Sequence, residues 1–428
     1  MQREIVFSSS SGFLLKISGV LLGLTISILT GKFFGAAQLG QLNLHLTLIN
    51  FLTIIAGLGI NEYLVYTISS QKVLINSIFN ITFLKNTYSL YLLSSLIVFL
   101  FLFILRDLIN SIFEPNLILI YTISLGVFFQ LLLNANVYFL KGNKRIPAFI
   151  FLKSIAANIV FLILIFIAKF IYSAGFTFLL ENLWAGFLMS ALISFLFLKD
   201  FLTSKSNFIE VKYNALLSES KFIYLSEILE YSNNWLPLIL AGMILTPIEL
   251  GVYSLGFKIT VVIITVVLTS VTIIMPVVSG LNALKDKTAI ISSISNAVKI
   301  ALFLTVIINA GIAIFGGAIF TFLGNDFSSQ LYILPLLLVS KFFDAWLQPL
   351  YMSLPMLKRQ KQLFFIYLVK AVSVLISSLT LIHFFGLPGA ALASFLPSLI
   401  SSVLILHHFH KTDGYLIKDL LGFRINLK

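Results

Sequence analysis

The chain contains no cysteine. That excludes disulfides, thiolate metal sites and S-acylation. Charge is scarce too: only 10% of the 428 residues are Asp, Glu, Lys or Arg, where a soluble chain of this length carries roughly 25%. With 59% hydrophobic residues and 42 phenylalanines there is too little polar surface to coat a water-soluble globule. A soluble enzyme, a nucleic-acid-binding module and a disordered scaffold are excluded together. No GxxxxGK[ST] phosphate loop, no HExxH and no Cys-based metal spacing occurs, and no polar segment is large enough to house a nucleotide site. The chain is therefore read as a non-enzyme that uses no cofactor and no resident metal.

What is present is a series of long apolar blocks. A helix needs about 20 apolar residues to cross a bilayer. Blocks of that size lie near 12–33, 42–64, 86–105, 117–139, 148–168, 176–198, 222–245, 252–274, 300–323, 331–354, 363–384 and 389–408. They are twice as long as barrel strands and apolar on all sides, so they are helices. The expectation is an all-α polytopic membrane protein with twelve transmembrane helices. The first block lacks a small-residue cleavage site after it and reads as a retained helix.

The 28 basic residues against 16 acidic ones would suggest nucleic acid in a soluble chain. Here they report topology. With both termini placed in the cytoplasm, 21 Lys and Arg fall in or beside inner loops and three (Lys32, Arg106 and Lys169) in outer ones. That asymmetry follows the positive-inside rule. Lys16, Lys258, Lys341 and Lys370 remain inside spans.

The longest polar stretch near the midpoint is about Lys199 to Lys221. It sets the expected boundaries: an N-terminal lobe over 1–200, a cytoplasmic linker over 201–221, and a C-terminal lobe with its tail over 222–428. The two sides look related. Residues 28–44 read ILTGKFFGAAQLGQLNL and residues 239–255 read ILAGMILTPIELGVYSL. At an offset of 211 they share Gly31 with Gly242 and Gly40 with Gly251. Two parallel six-helix repeats are a transporter plan with the substrate path at the repeat interface.

Three stretches carry a family resemblance. The first is Phe34-Gly35-Ala36-Ala37-Gln38-Leu39-Gly40-Gln41, followed by Gly57-Leu58-Gly59-Ile60. The second is Leu250-Gly251-Val252-Tyr253-Ser254, leading to Met275-Pro276. The third is Leu323-Gly324-Asn325-Asp326-Phe327, with Gly386-Leu387-Pro388-Gly389-Ala390-Ala391-Leu392-Ala393-Ser394 further on. In order and spacing the chain resembles the polysaccharide transporters, or O-antigen repeat-unit flippases of the Wzx type, in the multidrug/oligosaccharidyl-lipid/polysaccharide (MOP) exporter superfamily. The resemblance implies two six-helix lobes in a V-shaped, MATE-like arrangement that alternates between inward- and outward-facing states. It also implies the cargo. This is an oligosaccharide repeat unit of O-antigen or a related surface polysaccharide on undecaprenyl pyrophosphate, moved from the inner to the outer leaflet of the bacterial inner membrane. Membrane lipid and other polysaccharide-assembly membrane proteins are the implied partners, with H+ or Na+ coupling. The alternatives are a cation-coupled multidrug exporter of the same superfamily and a polytopic polysaccharide polymerase. Drug exporters in the superfamily often carry a carboxylate deep in the first span, and this chain has none there.

The cargo's head cannot cross hydrocarbon without losing its hydration. Cations along a polar path suit its phosphates. A lysine deep in a span usually faces a bundle interior or a watery cavity. Lys258 lies about 9 Å from the outer end of its span by helix rise, Lys370 a similar depth from the inner end of its own, and Lys341 near mid-span. All three are lumen candidates. Asp344 is three residues beyond Lys341 on the same face, so the two make either a self-neutralising pair or a proton-sensitive element. Lys16 lies within two turns of the cytoplasmic side, where it snorkels or meets an incoming head group. Gln130, Asn134 and Tyr138 follow at intervals of four, on one face. They bind sugar hydroxyls or bond a neighbouring helix. Glu227 and Glu230 share a face near Asn234, as a coupling site or a solvated helix start.

Overall fold

The computed structural model describes residues 2–61, 64–65, 68, 81–112, 117–171, 175–202, 213–272, 274–284 and 286–413. Among the described residues the regular elements are all helical. Nine segments are long and apolar enough to cross a membrane, and Leu183–Lys199 is a shorter apolar helix. The chain is an all-α, multi-pass membrane protein. Among the described residues, each of the twelve expected blocks lies mostly on helix. Four of them fall outside a simple one-to-one match with the nine segments. Block 176–198 contains the shorter helix. Block 222–245 lies on Tyr213–Ile244, which has Pro237 inside it. Blocks 363–384 and 389–408 share the single 54-residue stretch Gln360–Asp413.

The main helices are α1 (Gln2–Phe34), α2 (Ala36–Ala56), α3 (Ile81–Ile104), α4 (Leu117–Gly142), α5 (Ile146–Phe170), α6 (Leu183–Leu202), α7 (Tyr213–Ile244), α8 (Pro247–Val271), α9 (Lys287–Leu323), α10 (Ile333–Met356), α11 (Gln360–Ser377) and α12 (His383–Asp413). The sequence sets their ends locally. At α8, Pro247 follows the N-cap Thr246. The Glu249 N–H donates to the Thr246 hydroxyl at 3.4 Å and the Thr246 N–H donates back to the Glu249 carboxylate at 3.0 Å, a reciprocal capping box. At α9, Asp286 accepts from the Ala289 N–H at 3.0 Å and from the Thr288 hydroxyl at 2.8 Å. Those bonds, the Ala289 N–H foremost, hold the exposed Asp286 carboxyl below its usual range. Within the spans, hydroxyls turn back onto the helix. Thr30 donates to the Ile26 carbonyl at 2.8 Å and Thr305 to the Ala301 carbonyl at 2.7 Å. This hides polar atoms where no water is at hand.

Large apolar side chains point outward along whole faces, for example Leu96, Ile97 and Ile104 on α3 and Phe303, Val306, Ile307 and Ile314 on α9. A water-soluble protein does not expose such faces, and a lipid-facing one does.

The helices form two compact units. One is Met1–Phe34 with Gln41–Tyr224; the other is Gly35–Gly40 with Leu225–Lys428. Much of the expected 201–221 linker lies outside the described residues. In the first unit, Tyr91, Leu131, Leu140 and Ile165 sit in one apolar core. Fully buried within it, Asn136 of α4 accepts from the Tyr88 hydroxyl of α3 and donates to the Ser194 hydroxyl of α6 at 2.7 Å. In the second unit, the short Gly35–Gly40 segment packs on the start of α8. A Cβ on Gly251 would fall 1.9 Å from the Ala36 carbonyl oxygen, and one on Gly40 2.8 Å from the Gly251 nitrogen. The two glycines that mark the sequence repeat therefore lie against each other.

Two departures from regular helix are not visible in the apolar pattern. Phe151–Ala156 in α5 and Ser378–Ile382 between α11 and α12 are π-helical turns. Gly386 breaks α12 at φ 60°, ψ −132°. Gly175, 211 residues earlier, has φ 64° and ψ −132°. That spacing equals the one between Gly40 and Gly251. The conformation is one that essentially only glycine adopts.

Candidate functional site

The second unit brings three of the expected residues together. Lys341 and Asp344 lie on α10, about 12 and about 16 Å into the helix by rise, and Lys370 reaches them from α11. Lys370 Nζ donates to Asp344 Oδ1 at 2.5 Å, and Lys341 Nζ is 3.6 Å from Asp344 Oδ2. The ammonium of Lys341 also sits over the Phe257 ring of α8, 4.7 Å from its centroid. Trp235 of α7 packs on the same ring, centroid to centroid 5.3 Å. Lys341 is 3% exposed and Asp344 and Lys370 8% each. Burying charge at this depth is costly unless it is paired, and one carboxylate serves two ammonium groups. Glu230 of α7 lies within the field of Lys370. Beside it, Asn233 donates to the Tyr367 carbonyl at 3.1 Å, and Tyr367 stacks on Tyr351 with centroids 5.7 Å apart. The cluster thus has two cations, one carboxylate between them, and a second carboxylate nearby. Lys258 is half-buried one residue beyond Phe257 on α8. The side chain of Glu227 lies outside the described residues.

The first unit places the others. Gln130 is a helix–helix crosslink: it accepts from the Thr53 hydroxyl at 2.9 Å and donates to Asn50 at 2.5 Å, both on α2. Asn134 is buried one turn on. Tyr138 accepts a hydrogen bond from Lys153 of α5 at 2.6 Å. Lys153 lies over the Tyr138 ring at 4.5 Å, and Lys141 over the same ring at 5.2 Å. Lys16 of α1 lies in the field of both lysines. The polar stripe on α4 therefore splits in use: Gln130 ties helices together and Tyr138 joins a cationic group. Asn136, between them in sequence, is the buried crosslink that spacing alone does not single out. A stripe read at intervals of four skips it.

A profile of the polysaccharide biosynthesis protein family matches residues 7–282. Among individual proteins, the probable low-salt glycan biosynthesis flippase Agl15 of Haloferax volcanii is 26% identical over 195 residues. That is 45% of this chain and 41% of the relative, so the match spans about two fifths of the relative's length. Among solved structures, an inward-facing multidrug resistance MATE family transporter of the MOP superfamily superposes with a TM-score of 0.73 at 13% identity, over 94% of this chain and 98% of that one. The lipid II flippase MurJ in an inward closed conformation gives 0.73 at 18% identity, over 97% of this chain and 89% of that one. The fold is that of the MOP-superfamily transporters. The chain itself belongs to the polysaccharide biosynthesis protein family.

Proposed function

We propose that the chain is a flippase for lipid-linked glycans. It moves an oligosaccharide on undecaprenyl pyrophosphate, the repeat unit of O-antigen or a related surface polysaccharide, from the inner to the outer leaflet of the bacterial inner membrane. Both termini face the cytoplasm, and transport proceeds by alternating access of two lobes, residues 1–200 and 222–428. The observation that carries this reading is the excess of cation over carboxylate at membrane depth. In α10 and α11 two lysines share Asp344, and Lys258 lies on the adjoining α8, which makes three lysines against Asp344 and Glu230. Such an excess suits a diphosphate head group. A cation-binding drug site would favour the reverse ratio. Glu230 and Asp344 are the carboxylates through which H+ or Na+ would couple. Residues such as Lys258, Lys341 and Lys370 contact the head group once the cleft opens.

The test is deletion of the gene and complementation, reading the leaflet of the lipid-linked repeat unit with a membrane-impermeant glycan probe. The expected result is repeat units trapped on the inner leaflet and restored by the wild-type chain. Normal surface glycan together with altered drug tolerance would instead favour the exporter.

A further inference from the structure

The middle of α7 carries a run that helix packing in lipid does not explain. Glu230-Tyr231-Ser232-Asn233-Asn234-Trp235 sets four polar side chains and two aromatic rings inside the expected span 222–245. Tyr231 and Trp235 lie about 20 and about 14 Å from Ile244 at the helix end, by rise. Interfacial anchoring places Tyr and Trp at the rims of a membrane, so it does not account for rings at this depth. Asn233 is buried and turns to α11, where it donates to the Tyr367 carbonyl at 3.1 Å. The other five are half-buried. A half-open carboxylate, hydroxyl and amide in mid-span suit a polar path and not hydrocarbon.

Tyr231 and Trp235 are one turn apart and share a face. Their rings stack, with centroids 5.9 Å apart and planes 28° from parallel. Trp235 packs in turn on the buried Phe257 ring at 5.3 Å, and that ring carries the Lys341 ammonium at 4.7 Å. The line of rings starts half-open at Tyr231 and ends at a buried cation. Asn234 lies at the edge of the stacked pair, three residues after Tyr231 and next to Trp235. Its Nδ2 donates to the Glu230 carbonyl at 3.0 Å, which holds the side chain and keeps its oxygen as an acceptor.

We infer that Tyr231 and Trp235, edged by Asn234, form a platform for a pyranose ring, the sugar bonded directly to the diphosphate of the lipid-linked cargo. The inference rests on the flippase reading and adds the residues that select the glycan. A pyranose has an apolar face of C–H bonds, whose hydrogens are slightly positive, and a rim of hydroxyls. The C–H face packs on the negative face of an aromatic ring. The rim needs hydrogen-bond partners, which a side-chain amide supplies in both senses. The order along the protein follows the order along the cargo: rings and then a cation, as the sugar is followed by phosphate. Lys341 is shut in and the two rings are half-open, so the sugar is held before the cation is exposed.

The experiment uses the full chain in neutral-lipid nanodiscs and titration calorimetry. The probes are farnesyl diphosphate and its glucosyl, galactosyl and N-acetylglucosaminyl diesters. At least one glycosylated probe is expected to bind more tightly than farnesyl diphosphate itself. Tyr231→Leu and Trp235→Leu are each expected to weaken that probe by about three- to tenfold, the scale of one lost aromatic contact, and to leave farnesyl diphosphate unchanged. Trp235→Phe, which keeps a ring, is expected to retain most of the preference, and Asn234→Leu to lose part of it. Rings with a merely structural role would move the melting temperature or the affinity for every probe, and not the difference between probes. Should W235L not fold, Y231L, at the open end of the stack, decides alone. No preference of the wild-type chain for any glycosylated probe overturns the inference, as does an unchanged preference in the folded leucine variants. Rhodamine 6G binding that exceeds every glycosylated probe and is lost in Y231L also overturns it, in favour of a drug site. The two readings fail separately. Normal surface glycan in the deletion strain removes the flippase function. Lost glycan in that strain, with the sugar preference intact in Y231L and W235L, removes only the platform.

Discussion

The Lys341–Asp344–Lys370 cluster sets net charge against bond length in a way that can be measured. Lys370 makes the shorter contact, 2.5 Å against 3.6 Å for Lys341. A distance argument makes Lys370→Gln the most damaging change. A charge argument does not. Lys370→Gln leaves the Lys341 ammonium facing Asp344, already in contact, with Glu230 on the next helix losing its neighbouring cation. Asp344→Asn leaves two buried ammonium groups bridged by a neutral amide. Both lysines touch the same carboxylate, so their nitrogens are at most about 8 Å apart, and their mutual repulsion is at least about 2 kcal/mol at an effective dielectric of about 20. Removing one partner from a buried pair costs about 3–5 kcal/mol in itself. Asp344→Asn should therefore destabilise by roughly 5 kcal/mol or more and Lys370→Gln by clearly less. The double variant Asp344→Asn/Lys370→Gln should be more stable than Asp344→Asn alone. Thermal unfolding in detergent, followed by tryptophan fluorescence, reads all three. Trp235 is a local reporter, because it packs on the Phe257 ring that carries Lys341. If Lys370→Gln costs as much as Asp344→Asn, or the double variant gains nothing, the cluster is not governed by its charge count.

Three further outcomes are expected. Gly251→Ala puts a methyl 1.9 Å from the Ala36 carbonyl oxygen, against backbone on both sides, and should lower stability by about 1–3 kcal/mol or abolish expression; a melting curve decides it. Asn136→Leu removes the acceptor of the Tyr88 hydroxyl and the bond donated to Ser194, whose own hydroxyl still donates to the Ala191 carbonyl, and should cost about 1–3 kcal/mol in the same assay, with Asn134→Leu costing less. A reporter fused after Asn325 should read as external and one after Lys358 as cytoplasmic; the opposite result at either breaks the assumed orientation.

The membrane class was legible because length and apolarity are additive along the chain. A block of 20 apolar residues leaves few choices. The adjacency of Lys341 and Asp344 was legible too, because three residues on a helix share a face. Lys370 joins them only through the packing of α11 on α10, which no local spacing encodes. Gly40 and Gly251 were legible as a repeat, but their contact depends on the path of the chain between them. The π-helical turns and the break at Gly386 lie inside unbroken apolar runs, where hydropathy is blind to backbone geometry. The lysines around Tyr138 look like an ordinary basic inner loop until α1 is laid along α5.

The shared turn at Gly175 and Gly386 gives the chain an internal ruler. It agrees with Gly40 and Gly251 on the same interval, so the residues between these marks can be compared one for one across the halves. Counted this way, Lys341 stands where Gln130 stands in the first half. One copy keeps a neutral amide that stitches two helices; the other holds a cation beside a carboxylate.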